Sequence, residues 1–327
     1  MYIAQAFNVL HDWWRYLVGA FIVFVAWQFI GMIPLAIVIG VKVIGTGEIP
    51  TDIPQMVTLL GSNLFLLLML LSFAIGLVGL LFTTKFLHKQ SFKHLTTTRK
   101  KIDWKRFWFV FLLWGFVSSG FVLLDYFFFT PEDYVLNFKL QPFLILCAIA
   151  ILLVPLQTSF EEYLFRGYLM QGFGVILKNK WAPLLITSIG FGLLHIANPE
   201  VEKLGYVIMV YYIGTGLFLG IMTLMDEGLE LALGFHAANN LFTALLVTAD
   251  WTAFQTDSIL KDMSDPEKMG LAEIFVPVFV VFPILLFILS KKYKWSNWKD
   301  KLLGEVVEPP KEDYKILEEI GKNDTQL

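Results

Sequence analysis

Apolar residues in this chain gather into blocks separated by short polar connectors. Eight blocks cover residues 17–41, 62–83, 107–129, 142–164, 181–197, 205–225, 229–249 and 273–290. The first, LVGAFIVFVAWQFIGMIPLAIVIGV, contains one Gln and no charge. A helix rises about 1.5 Å per residue, so roughly 20 such residues cross the ~30 Å hydrocarbon layer of a bilayer. The pattern therefore predicts an all-α polytopic integral membrane protein of about eight transmembrane helices. The connectors carry the turn and charge signals, among them GTGEIPTDIP, ANPEVEK and MDEG.

Composition supports this pattern: 57% of the 327 residues are hydrophobic and only 16% are charged, against about 25% charged in soluble domains. The formal net charge of −3 says little about partners, and with no basic stretch resembling a nucleic-acid arm, no nucleic-acid partner is expected. The sole cysteine, Cys147, excludes an internal disulfide. The N-terminus lacks a basic n-region and a small-residue cleavage site, so the first span is expected to be retained. Eight Lys and Arg residues lie in the connector from Lys85 to Arg106, and KKYK follows Ser290. The positive-inside bias then puts both termini in the cytoplasm, with Trp13, Trp14, Trp104, Trp108, Trp181, Trp251 and Trp295 as interfacial anchors. Gly214, Gly216 and Gly220 form a small-residue stripe that reads as close helix packing. No internal repeat is evident. Residues 1–135 read as about three N-terminal spans, 136–250 as a core, 251–295 as a loop and last span, and 296–327 as a charged, partly disordered cytosolic tail.

A charge at the centre of a membrane costs about 2.5–3.5 kcal/mol, so it faces the protein interior and has a role there. In LVPLQTSFEEYLFRGYLMQGF, Glu161 and Glu162 follow an uncharged run, with Arg166 one turn after Glu162. Glu162 and Arg166 share a helix face and Glu161 points about 100° away; a plain ion pair at a helix end is the modest reading. His195 ends an apolar run with Phe191 one turn earlier, and His236 has Asn240 one turn on. A lone buried His is more often a hydrogen-bonded core residue, and a lone Asn more often joins helices. Together the weight reverses, because the other three histidines, His11, His88 and His94, lie in terminal or connector segments. A carboxylate takes a proton from water, imidazoles orient that water or ligate a metal, and an amide donates to an oxyanion.

Glu161-Glu162-x-x-x-Arg166, Phe191-x-x-x-His195 and His236-x-x-x-Asn240, in that order, resemble the CPBP family, the type II CAAX prenyl proteases and bacteriocin-processing proteins also called the ABI family. The resemblance spans roughly residues 140–250. It implies an intramembrane endopeptidase with its site inside the helical bundle, in the cell membrane of a prokaryote. Glu161 is implied as the base, with Glu162 and Arg166 in support. His195 is implied to hold water or a metal, and His236 with Asn240 to stabilise the oxyanion. Family naming implies a metalloprotease, with Glu161, His195 and His236 as candidate ligands for a divalent metal such as zinc. Two His and a Glu can equally work metal-free, and no HExxH is present. The implied partners are a peptide or protein substrate, lipidated or not, and the bilayer itself.

Uniform spans present a geometric difficulty. With a turn just after residue 164, Glu161 and His195 would lie about 20 Å apart along the membrane normal. A break at Pro155, followed by a separate half-buried helix from Gln157 to Leu177, would bring them level. Two rival functions stand beside the peptidase: a proton-coupled transporter, and a non-catalytic scaffold or bacteriocin self-immunity protein of the same fold.

Overall fold

A computed structural model describes residues 1–310. Every apolar block is helical. We label the helices α1 (Trp13–Thr46), α2 (Ser62–Phe86), α3 (Trp104–Phe129), α4 (Leu140–Leu177), α5 (Trp181–Leu193), α6 (Tyr206–Asp226), α7 (Glu230–Leu246) and α8 (Leu271–Tyr293). Six are long and apolar enough to cross a membrane, whereas α5 and α7, of 13 and 17 residues, are shorter. The chain is thus a polytopic all-α membrane protein. Side chains such as Phe21, Phe29, Ile37, Phe116 and Phe287 stand exposed on the outer helices. In water such a belt would aggregate; in lipid it is the expected surface.

α4 and α7 form the centre: α4 packs on α2 and α7, α7 on α3, and α5 on α6. The glycine stripe serves this packing. A Cβ on Gly216 would come within 2.7 Å of the Ser188 carbonyl oxygen on α5, and one on Gly220 would meet Leu184.

The expected break at Pro155 is absent. α4 runs through Pro155 and continues with a π-helical stretch, Tyr163–Leu169, to Leu177. Proline frees only one carbonyl, and at membrane depth the rest of the backbone has no better partners than its own helix. The turn falls instead at Lys178–Lys180, where Lys178 adopts a left-handed conformation with φ 54°. Leu177 lies 15 residues beyond Glu162, and His195 lies 14 residues beyond Trp181. These are nearly equal helix rises of about 22 and 21 Å. The overshoot of α4 and the return of α5 bring the two motifs level, which the assumed turn near residue 164 did not allow.

Both described terminal segments sit at the end of the bundle where α4 stops and α7 starts. Ile3, Ala6 and Phe7 pack with Met170, Val175, Leu184 and Val306. The segment expected as a tail begins differently: Trp298–Leu303 is helical, Lys180 Nζ donates to the Asp300 carbonyl at 2.7 Å, and Val306 is buried. Lys180 supplies the buried cation and Val306 the apolar anchor that hold it. The remainder of that tail, residues 311–327, lies outside the described residues. At the same end, Asp226 accepts from Arg99, Arg106 and the Trp295 indole, and Arg99 also reaches Glu230 at 3.0 Å. This network ties the long basic connector to the α6–α7 turn. Trp295, expected as an interfacial anchor, is half-buried there, while Trp13, Trp14, Trp104, Trp108 and Trp181 are exposed.

At the opposite end lies a small sheet in which β3 (Leu260–Asp262) pairs antiparallel with β1 (Tyr134–Leu136) and parallel with β2 (Val247–Thr248). A cavity of about 1270 Å³ opens between α3 and α8 near this end, lined by residues such as Phe121, Asp125, Asp262 and Glu273, and by none of the candidate site residues.

Candidate active site

The charged cluster lies on α4 and α7, where helical spacing puts four polar side chains of α4 on one interior patch. Glu161 and His236 are each 6% exposed, and Glu162 and Arg166 are fully buried. Glu162 Oε1 accepts from Arg166 Nη1 at 2.9 Å and from His236 Nδ1 at 2.8 Å. Arg166 Nη2 donates to the Gly216 carbonyl on α6 at 3.1 Å, and its guanidinium lies 4.3 Å from the centroid of the Phe191 ring. A buried ion pair repays its desolvation only when further hydrogen bonds complete it. Here the imidazole, a backbone carbonyl and an aromatic face supply part of that completion, while Glu162 Oε2 and Arg166 Nε are buried without a hydrogen-bond partner.

Glu161 faces the other side of His236. Its Oε1 accepts from Gln157 Nε2 at 2.8 Å. Its Oε2 is 3.4 Å from His236 Nε2 and has no hydrogen-bond partner, although it is buried. Two carboxylates, a guanidinium and an imidazole thus face one another inside the bundle, where opposite charges offset one another's desolvation.

His195 stands apart from this hydrogen-bonded group. It is half-buried, and Nδ1 lies 2.9 Å from the Phe191 carbonyl. A carbonyl only accepts, so the proton is on Nδ1 and Nε2 presents a lone pair. The His195 ring stacks on Tyr212 at 4.4 Å and lies 4.9 Å from the Phe191 ring, which in turn is 5.9 Å from the ring of His236. Phe191 is thus the hub connecting both imidazoles and the guanidinium.

Asn240 joins the group indirectly, donating to Gln157 Oε1 at 3.1 Å. The structure therefore forms two hydrogen-bonded groups, Glu162 with Arg166 and His236, and Glu161 with Asn240 through Gln157. They meet at the 3.4 Å contact between His236 Nε2 and Glu161 Oε2, with His195 joined through ring contacts. Sequence reasoning missed Gln157, Asn239, Tyr212 and the Gly216 carbonyl. Gln157 carried a usable signal, being a polar residue within an apolar run one turn before Glu161. The Gly216 carbonyl carried none, since backbone is not written in side-chain pattern.

Among the described residues, no group of three or more His, Cys, Asp or Glu side chains could hold a metal ion. Both nitrogens of His236 face carboxylates, and His195 is turned to Phe191 and Tyr212. The candidate set Glu161, His195 and His236 does not fit a resident metal in this arrangement.

Fold and site together define a class: a helical integral membrane protein with a buried cluster of carboxylates, guanidinium and imidazole inside its bundle. Residues 140–242 match the family described as type II CAAX prenyl endopeptidase Rce1-like. A curated relative, the uncharacterized protein YyaK of Bacillus subtilis (strain 168), is 31% identical over 282 residues, covering 86% of this chain and 93% of the relative. No solved structure matches. The chain belongs to the CPBP family of intramembrane proteases, of the Rce1-like, CAAX-protease type.

Proposed function

We propose that this protein is an intramembrane endopeptidase that hydrolyses a peptide bond of a membrane-associated, prenylated-CAAX-like substrate. The observation that carries the reading is the placement of Glu161: Gln157 holds its Oε1, while its buried Oε2 has no hydrogen-bond partner and lies 3.4 Å from His236 Nε2. Glu162 Oε2 is unpartnered as well, but Glu162 is fully buried and committed through Oε1 to both Arg166 and His236. A carboxylate oxygen placed like that of Glu161 accepts a proton from a water molecule. His195 Nε2 accepts the other hydrogen of that water, its tautomer being set by the Phe191 carbonyl. The water oxygen attacks the scissile carbonyl carbon as Glu161 takes the proton. Asn240 spends one amide hydrogen on Gln157 and donates the other to the developing oxyanion. When the C–N bond breaks, Glu161 returns the proton to the leaving amine. His236, oriented by Glu162, lies 3.4 Å from Glu161 Oε2 and stabilises the carboxylate beside it. No step is routed through a metal.

The Lys-rich connector lies at the same end as both described terminal segments, which supports a cytoplasmic location for that end in the cell membrane of a prokaryote. The test is cleavage of a farnesylated CAAX-peptide reporter by purified protein and by Glu161→Gln, read by mass spectrometry. Cleavage lost in Glu161→Gln supports the reading. Undiminished function of Glu161→Gln in the native host removes it and leaves the scaffold or self-immunity role.

A further inference from the structure

Beyond the charged cluster, a line of uncharged polar side chains crosses three helices. Trp114 Nε1 on α3 donates to Asn239 Oδ1 on α7 at 3.0 Å. Asn239 Nδ2 donates to Asn240 Oδ1 at 3.2 Å, Asn240 Nδ2 to Gln157 Oε1 on α4 at 3.1 Å, and Gln157 Nε2 to Glu161 Oε1 at 2.8 Å. The two ends fix the sense of every link. An indole N–H can only donate, so Asn239 must turn its oxygen toward Trp114 and its nitrogen toward Asn240. An ionised carboxylate can only accept, so Gln157 must turn its nitrogen toward Glu161 and its oxygen toward Asn240. Both constraints demand the same direction, and no amide in between can flip without breaking two bonds.

We infer that Trp114, Asn239 and Gln157 are positioning residues that set the orientation of the Glu161 carboxylate and, through the same chain, of the Asn240 amide. This deepens, and rests on, the peptidase reading above. The cost of the arrangement argues for it. Trp114 and Gln157 are 7% and 3% exposed, and Asn239 and Asn240 between them are half-buried, so the polar line runs largely out of water. At its Trp114 end the surroundings are apolar: Trp114 lies 4.7 Å from the Phe235 ring, and Phe242 packs where a Cβ on Gly115 would stand. A chain of aligned amides strengthens link by link in such surroundings. Its effect at the far end is to commit Glu161 Oε1 and leave Oε2 as the one oxygen available to a water. It also fixes which amide hydrogen of Asn240 is spent, so the remaining one has a single direction. Neither Trp114 nor Asn239 touches the charged cluster, so they act through Asn240 and Gln157 and not on substrate.

The test uses the full chain in detergent and two independent readouts. The first is kinetic: Trp114→Phe removes the indole donor together with part of the ring, and Asn239→Asp keeps the acceptor for Trp114 while removing the donor to Asn240. Each is expected to lower kcat for the farnesylated CAAX-peptide reporter about tenfold, with KM within about twofold, since a small misplacement of a reacting group is felt in the chemical step. The second readout needs no activity: a double-mutant cycle in Tm between Trp114→Phe and Gln157→Met, residues that share no direct contact. The losses are expected to overlap, the double variant falling less than the sum of the singles. Strictly additive losses overturn the chain, because uncoupled sites add. Overlapping losses with kcat unchanged in Trp114→Phe overturn the positioning role. If the wild-type protein cuts no reporter while the Tm losses overlap, the peptidase reading fails by itself and the polar chain stands as a structural unit.

Discussion

Arg166 gives the sharpest test of how the charged cluster is held. Replacing it with Met keeps much of the volume and the apolar stem but removes the guanidinium. Three partners then lose it: Glu162 Oε1 at 2.9 Å, the Gly216 carbonyl at 3.1 Å and the face of Phe191 at 4.3 Å. The dominant loss is at Glu162, which is fully buried and would keep one cationic candidate, His236, where it had two. Removing one partner of a buried pair costs about 3–5 kcal/mol, because the other charge remains without compensation. An orphaned carbonyl adds about 1–3 kcal/mol where water cannot reach it. These terms overlap, and about 4 kcal/mol is the expected total, close to a thousandfold in the unfolding constant. The second variant isolates the cause. Glu162→Gln combined with Arg166→Met removes both charges while leaving His236 a hydrogen-bond acceptor, and should cost about 1–2 kcal/mol, less than Arg166→Met alone. Equilibrium unfolding in mixed micelles, followed by tryptophan fluorescence, measures both. A cost under about 1 kcal/mol for Arg166→Met, or a double variant as unstable as the single, would falsify the argument that an orphaned Glu162 charge dominates.

Two further predictions follow from geometry elsewhere. Gly216→Ala places a methyl 2.7 Å from the Ser188 carbonyl oxygen and 2.9 Å from its Cα, so α5 and α6 must separate; a loss of about 1–3 kcal/mol is expected, seen as a lower Tm, and an unchanged Tm would mean the helices are not in that contact. His88, in the connector after α2, has its pKa lowered to about 4, chiefly by burial. It is neutral in the fold and takes up a proton on unfolding, so stability should fall as pH drops from about 6.5 toward 4. A His88→Gln variant should show a flatter profile across that window in thermal unfolding, and an identical slope would remove His88 as the cause.

How much of this was legible in the chain differs by element. The eight apolar blocks and their helical nature follow from lipid alone, which forces each backbone to satisfy itself. The charged residues stood out because hydrocarbon makes them expensive. The vertical register did not follow. Residues 164–181 contain LFRGYLMQGFGVILKNKW, apolar enough to hide where the turn falls, and the turn position alone decides whether Glu161 and His195 are level. The same segment shows why. Tyr163–Tyr168 are buried by other parts of the protein, not by lipid, and a protein-sheathed helix need not stop at the membrane edge. The intermediates were also silent: Gln157 and Asn239 read as isolated polar residues until three helices are laid side by side.

The shortness of α5 has a consequence of supply. Thirteen residues rise only about 20 Å, well under the hydrocarbon thickness. The helix stops at Leu193, and the chain turns through half-buried His195 before the next helix begins at Pro199. A full span needs about 20 residues, so α5 by itself ends about 10 Å short of crossing the hydrocarbon. Hydrolysis consumes one water per turnover, and a protein enclosed in lipid must import it. On the proposed chemistry, a short α5 would give solvent a shorter path to the imidazole from the sheet end than a full span would. Thicker bilayers would then slow the enzyme by starving it of its second substrate, with its affinity for the first unchanged.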